Sequence, residues 1–270
     1  MKAIILSAGQ GRRLMPLTKS VPKCCLVLDG KPLLVHQLES LAANGVDEIV
    51  VVTGFNHREV DDVVSGISIP ETSVRTLYNP FYAVSDNLGT SWVARKEMNT
   101  PFLLVNGDTL FEASTLAQLL SSERVYPITL AVDRKGDYDD DDMKISADGE
   151  QLKRVGKKLN LDIVNGESIG MMVFNRAGAE AFVQKVEDLM SGPDGLERWY
   201  LSAIDEMAMA GMVGISSIEG YDWCEVDDLV DYTHAEKAVV RWRVRATKPG
   251  SHSSSRNRNI WQKTPRCVML

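Results

Sequence analysis

Short apolar runs alternate with stretches of helical periodicity along the first half of the chain. Residues 3–6 have the length and bounds of a buried strand. Residues 33–44 carry Leu34, Leu38 and Leu41 at helical spacing and close at Gly45. A β-branched run at 48–53 ends at Gly54, and 56–65 reads as a polar helix. The pattern continues with a strand at 74–78, a helix at 86–98, a strand at 102–106 running into Gly107-Asp108, a helix at 114–122 and a strand at 128–133. Such alternation predicts an α/β protein with a doubly wound, mostly parallel (Rossmann-like) mixed sheet and ligands at the carboxyl ends of the strands.

From Met143 the texture changes. Residues 143–146, the Asp148-Gly149 turn and 151–155 predict a small β-hairpin insertion. Strands follow at 168–175, 213–218 and 223–226, and helices at 177–190, 198–210 and 228–245. The reading is one domain over 1–245 and a basic, Ser-rich tail over 246–270, too polar to bury a core and expected to be disordered.

Charge refines this picture. The 270 residues carry a net charge of −7, yet eight of the 30 basic residues lie beyond Val239, where there is no acid. The body therefore sets 22 basic against 37 acidic residues. An acidic body argues against nucleic-acid binding and requires a local basic pocket for any anionic substrate. No run approaches the ~18–20 apolar residues of a membrane span. The cysteines Cys24, Cys25, Cys224 and Cys267 show no zinc or redox spacing, which points to a reducing, cytoplasmic compartment. The four histidines form no catalytic constellation.

The first strand runs into Gly9-Gln10-Gly11-Arg12-Arg13. Glycines let backbone N–H groups approach a ligand, arginines add fork-shaped charge suited to phosphate, and Lys23 follows a proline-bounded loop. The segment lacks the Gly-Lys-Ser/Thr of a P-loop, and Leu14 stands where a dinucleotide fingerprint needs a third small residue. Asp108 and Asp227 each follow a strand-like run, and two carboxylates from separate strand ends can share one Mg²⁺. Glu225 is expected to point to the opposite strand face, because strand side chains alternate.

The stretch Ala8-Gly-Gln-Gly-Arg-Arg-Leu-Met-Pro-Leu-Thr18 with Pro22-Lys23 resembles the opening of the nucleotidyltransferases that make nucleoside-diphosphate sugars and alcohols. Further segments resemble the small-alcohol and phosphonate cytidylyltransferases: 52–55, 78–79, Asp86-Asn87 with Ser91, 141–145, 167–170 and 223–228. The resemblance covers residues 1–238. It implies an enzyme of the nucleotidyltransferase fold that uses CTP, Mg²⁺ and a small phosphoalcohol or alkylphosphonate, releases pyrophosphate, and leaves room for a homodimer. It implies that Arg13 and Lys23 hold phosphates and that Asp108 and Asp227 hold the metal. It places the nucleotide near Leu6, Ala8, Gly9, Gly11, Thr53, Gly54, Asn87, Ser91 and Gly107. It places the acceptor near Asp133, Lys144, Glu167 and Trp223, with Lys144 meeting the acceptor's anionic end. An aromatic face with nearby acids would suit a cationic head.

Two alternatives stand beside this reading: a sugar-1-phosphate nucleotidyltransferase using UTP, dTTP or GTP, and a non-catalytic nucleotide-binding regulator. A metal-dependent glycosyltransferase would place an Asp-x-Asp where this chain has Gly107-Asp108-Thr109.

Overall fold

The computed structural model describes residues 1–123 and 125–247. The disorder expected from residue 248 onward lies outside the described residues. The chain forms β1 (Lys2–Ser7), β2 (Val27–Leu28), β3 (Lys31–Pro32), α1 (Leu33–Ala43), β4 (Glu48–Thr53), α2 (His57–Gly66), β5 (Ser73–Tyr78), α3 (Asn87–Ala94), β6 (Phe102–Asn106) and β7 (Thr109–Phe111). It continues through α4 (Ala113–Ser121), β8 (Ile128–Asp133), β9 (Lys144–Asp148), β10 (Gln151–Val155), β11 (Gly166–Phe174), α5 (Arg176–Met190), α6 (Tyr200–Met209), β12 (Val213–Ser217), β13 (Trp223–Glu225) and α7 (Leu229–Thr247). The helix expected at 86–98 is shorter; it ends at Ala94 and tightens into a 3-10 turn, Arg95–Glu97.

Nine strands form one sheet in the order β5-β4-β1-β6-β11-β8-β12-β10-β9. The first four are mutually parallel, and β12 is parallel to β8. Strand β11 runs antiparallel to both β6 and β8. Its direction follows from its connection: the chain leaves β8 through the β9–β10 hairpin, with no crossover helix to carry it back to the starting edge. The hairpin joins the far edge of the main sheet through β10–β12, and β9 also pairs with the first residues of β11.

Alternation along each strand builds two layers. On β1, Ile4 faces a core shared with α3, α5 and α6, where Leu88, Phe182, Tyr200 and Ile204 are buried. Ala3 and Ile5 face the other side, against Leu34 and Leu38 of α1, Val60 of α2, and Leu116 and Leu119 of α4. A third cluster packs α7, through Ala235, Val239 and Trp242, against Leu28, Leu110 and Val226. It docks the short β13–β7 pair beside the main sheet. Register then aligns the carboxyl ends of three parallel strands: Ser7 lies opposite Thr53, and Leu6 opposite Asn106.

Candidate active site

The glycine loop leaves the sheet after Ser7. Gly11 takes a left-handed conformation with φ +73°, where a side chain is strained, and a Cβ there would stand 2.9 Å from Lys23 Cδ. Thr18 Oγ1 donates to the Gly11 carbonyl at 2.7 Å, Gln10 Nε2 donates to the Thr18 carbonyl at 3.3 Å, and Leu14 is buried. These contacts fix a loop of small residues beside two cations. Gly107 lets the end of β6 close on β1: its N–H donates to the Leu6 carbonyl at 3.0 Å, and a Cβ would lie 2.5 Å from Ser7 Oγ.

A cavity of about 190 Å³ opens between these strand ends. It gathers the expected Leu6, Gly9, Gly11, Lys23, Asn87, Gly107 and Asp108, and adds Ser7, Cys24 and Asn106. The remaining nucleotide-site candidates lie around it. The Ala8 carbonyl accepts the Phe55 N–H at 3.0 Å, Thr53 is fully buried, and Ser91 donates to the Asn87 carbonyl at 3.0 Å inside α3. Gly54 lines a separate, open cleft with Phe55 and Tyr82. Asn87 and Asn106 are both oriented by Tyr200, which donates its N–H to Asn87 Oδ1 and its O–H to Asn106 Oδ1, each at 2.8 Å.

The charged groups form an alternating chain. Lys23 Nζ lies 3.0 Å from Asp108 Oδ2 and 2.5 Å from Asp227 Oδ1. Asp227 Oδ2 lies 2.6 Å from Arg13, whose other nitrogen lies 3.1 Å from Asp141. Asp141 in turn lies 3.3 Å from Lys157 Nζ. Burial opposes the charge on Lys23, but Asp108 and Asp227 outweigh it and hold the ammonium above its ordinary value. Burial would likewise raise Asp227, but Lys23 and Arg13 hold it below the usual carboxylate range. Arg13 is half exposed, within reach of a ligand entering from solvent.

Backbone contacts place the two aspartates. Gln37, fully buried on α1, donates to the carbonyls of Asn106 at 2.9 Å and Thr109 at 2.7 Å and so grips the turn that carries Asp108. The Val226 N–H donates to the Asp108 carbonyl at 3.1 Å, bringing Asp227 alongside. Asp108 Oδ1 is buried and has no hydrogen-bond partner among the described residues. An orphaned carboxylate oxygen beside a second carboxylate fits a hard divalent cation. Among the described residues no group of three or more His, Cys, Asp or Glu is placed to hold a metal, so the protein would supply two carboxylates and the substrate phosphates and water the rest.

On the other side of the aspartates, Trp223 Nε1 donates to Asp133 Oδ2 at 2.7 Å, and Asp133 pairs in register with Glu167. Glu167 is pushed up to about 7 by burial, with Lys135 opposing and Asp142 adding to the rise. Lys144, expected to meet the acceptor's anionic end, turns its ammonium to backbone carbonyls in this structure. It is 3% exposed and donates to the carbonyls of Asp139, Asp142 and Lys157, the last at 2.9 Å. Lys157 instead lies 3.3 Å from Asp141, and its charge helps to lower Asp227.

Glu225 departs from the expectation of an opposite face. Positions two apart share a strand face, so Glu225 lies with Trp223, while Cys224 and Val226 enter the third core cluster. Glu225 is pushed up to about 8 by burial and by the neighbouring charges of Asp108 and Asp227. Asp227 reaches the same region only after the chain has left the strand.

A glycine loop flanked by cations, with paired carboxylates just past the ends of β6 and β13, suits the charge of a nucleoside triphosphate. Residues 3–199 match the MobA-like NTP transferase domain, and the chain belongs to that family. The bifunctional IPC transferase and DIPP synthase of Aquifex aeolicus is 25% identical over 260 residues, which are 96% of this chain and 56% of that protein. The choline-phosphate cytidylyltransferase of Streptococcus pneumoniae is 23% identical over 242 residues, 88% of this chain and 98% of that protein. The structure of the inositol-1-phosphate CTP transferase from T. maritima is similar with a TM-score of 0.75 at 22% identity, covering 90% of this chain and 96% of that one. At that identity the likeness is one of fold. No helix among the described residues is long and apolar enough to cross a membrane.

Proposed function

We propose that this chain transfers CMP from CTP to a small phosphoalcohol or alkylphosphonate and releases pyrophosphate. The carrying observation is the alternating chain Asp108, Lys23, Asp227, Arg13 at the mouth of the nucleotide cavity. Two cations there suit a triphosphate's charge, and two carboxylates suit a divalent ion. The similar proteins support the choice of nucleotide, since one is named a cytidylyltransferase and another a CTP transferase.

The acceptor's anionic oxygen attacks the α-phosphorus, a new P–O bond forms, and the bond to pyrophosphate breaks. The nucleophile is ionised at neutral pH, so no general base is required. The protein's work is alignment and charge neutralisation. Arg13 and Lys23 exchange their carboxylate partners for phosphate oxygens and hold the leaving pyrophosphate. Lys157 meets the acceptor phosphate or phosphonate, a role the buried contacts of Lys144 leave to it. Asp108 and Asp227 would hold Mg²⁺, which when bound supplies Lewis-acid neutralisation of phosphate charge. Leu6, Gly9 and Asn87 border the base and ribose.

The test is product identification. The protein is incubated with each of four nucleoside triphosphates and a panel of phosphoalcohols, alkylphosphonates and sugar phosphates, and nucleoside-diphosphate-linked products are detected by mass. A CDP-linked alcohol or a CMP-phosphonate is expected. A UDP- or dTDP-hexose as the dominant product would assign the site to sugar phosphates.

A further inference from the structure

Beside Glu167, two carboxylates converge on one ammonium. Lys135 Nζ lies 2.8 Å from Asp142 Oδ1 and 3.0 Å from Glu167 Oε2, with the centroid of the Tyr138 ring 5.8 Å away. The Glu167 and Asp142 side chains are 7% and 12% exposed, against 39% for Lys135. A nearly buried acid pair beside an aromatic face is the equipment for binding an organic cation. Here a residue of the chain itself fills that role.

This ammonium stands within the acceptor region. Glu167 pairs with Asp133, Asp133 accepts from Trp223, and Trp223 shares a strand face with Glu225, which senses both Asp108 and Asp227. A tethered ammonium binds without the loss of translational freedom that a separate cation suffers. It neutralises the two acids and leaves its own positive charge facing any newcomer.

We propose that Lys135 sets the head-group selectivity of the acceptor site: it bars a fixed cation and admits an uncharged, hydroxylated head attached to the phosphate. The proposal rests on the nucleotidyltransferase reading above. A quaternary ammonium would have to displace Lys135 or sit beside a like charge. Hydroxyl groups can accept from the ammonium and donate to the carboxylates without disturbing the pair.

The experiment has two arms, both on the full chain. In the first, catalytic efficiency with CTP is compared for glycerol phosphate, inositol-1-phosphate and phosphocholine. Wild type is expected to favour the hydroxylated acceptors by roughly tenfold or more. Lys135→Ala and Lys135→Gln are expected to shrink or invert that ratio, and Lys135→Arg to keep it. A wild-type preference for phosphocholine overturns the proposal, as does an equal loss on all acceptors in the two neutral variants. The second arm titrates tetramethylammonium chloride into each protein in a calorimeter without nucleotide. Binding is expected in Lys135→Ala and not in wild type or Lys135→Arg. Absence of binding to a folded Lys135→Ala overturns the proposal even if no acceptor turns over, an outcome that would sink the transferase reading separately.

Discussion

Lys23, on a 3-10 turn, and Asp108, just past the end of β6 and 85 positions further along the chain, meet with Nζ 3.0 Å from Oδ2. The same ammonium also takes Asp227, so one lysine holds together the two carboxylates assigned to the metal. In the proposed reaction, arriving phosphate would take the lysine and a divalent ion would be held by the two acids. Before substrate enters, the lysine offsets the charge of the acids.

Arg13→Ala and Lys23→Ala should each lower turnover by about 10²–10³, the scale of removing one preorganised group from a charged transition state. Circular dichroism and melting should show both variants folded. Near-normal turnover in either folded variant would remove that residue from the phosphate clamp.

Activity should require Mg²⁺ or Mn²⁺ and vanish with chelator. Asp108→Asn and Asp227→Asn keep size and remove charge, so the metal concentration for half-maximal rate should rise by roughly tenfold or more in each. An unchanged metal titration in a folded Asp227→Asn protein would take Asp227 out of the metal site.

Lys157 and Lys144 should separate cleanly. Lys157→Ala should raise the acceptor KM with little change in the nucleotide KM, because its ammonium lies beside Asp141 and its charge reaches Asp227. Lys144→Met removes three part-buried hydrogen bonds to carbonyls and buries no replacement donor, and should cost about 1–3 kcal/mol of stability. Its kinetic constants should change only with the folded fraction. The reverse pattern in melts and kinetics would restore Lys144 as the anion receptor.

Much of the fold was legible because β1, β4 and β6 are short apolar runs, and α1 and α4 each show an apolar stripe. The antiparallel course of β11 was less visible, since pairing direction depends on a connection rather than on the residues of the strand. At the site, the glycine loop and the strand-end aspartates carried their own signal. Lys135, Asp141 and Lys157 did not: they lie in polar stretches whose partners come from distant segments. Glu225 was misplaced although alternation sets positions two apart, 223, 225 and 227, on one face. Gln37 had a signal that could have been read, a polar residue inside the stripe formed by Leu34, Leu38 and Leu41.

Glu167 should leave a mark on stability. Its folded carboxyl is pushed up to about 7 by burial, against ~4.3 in the unfolded chain. Between those values the folded protein holds a proton that the unfolded chain has released, so stability falls as pH rises through the window. Asp142, held below the carboxylate range, acts only at lower pH. Melts from pH 5 to 8 should show wild type losing stability relative to Glu167→Gln. Parallel curves would contradict the raised Glu167 carboxyl.

The central claim is tested most directly by pyrophosphate release from CTP with and without acceptor. The account predicts release that depends on a small phosphoalcohol or alkylphosphonate, matches the CMP-linked product mole for mole, and is fastest with CTP among the four triphosphates. Highest catalytic efficiency with glucose-1-phosphate and UTP or dTTP, or no acceptor-dependent release from any triphosphate, would contradict it.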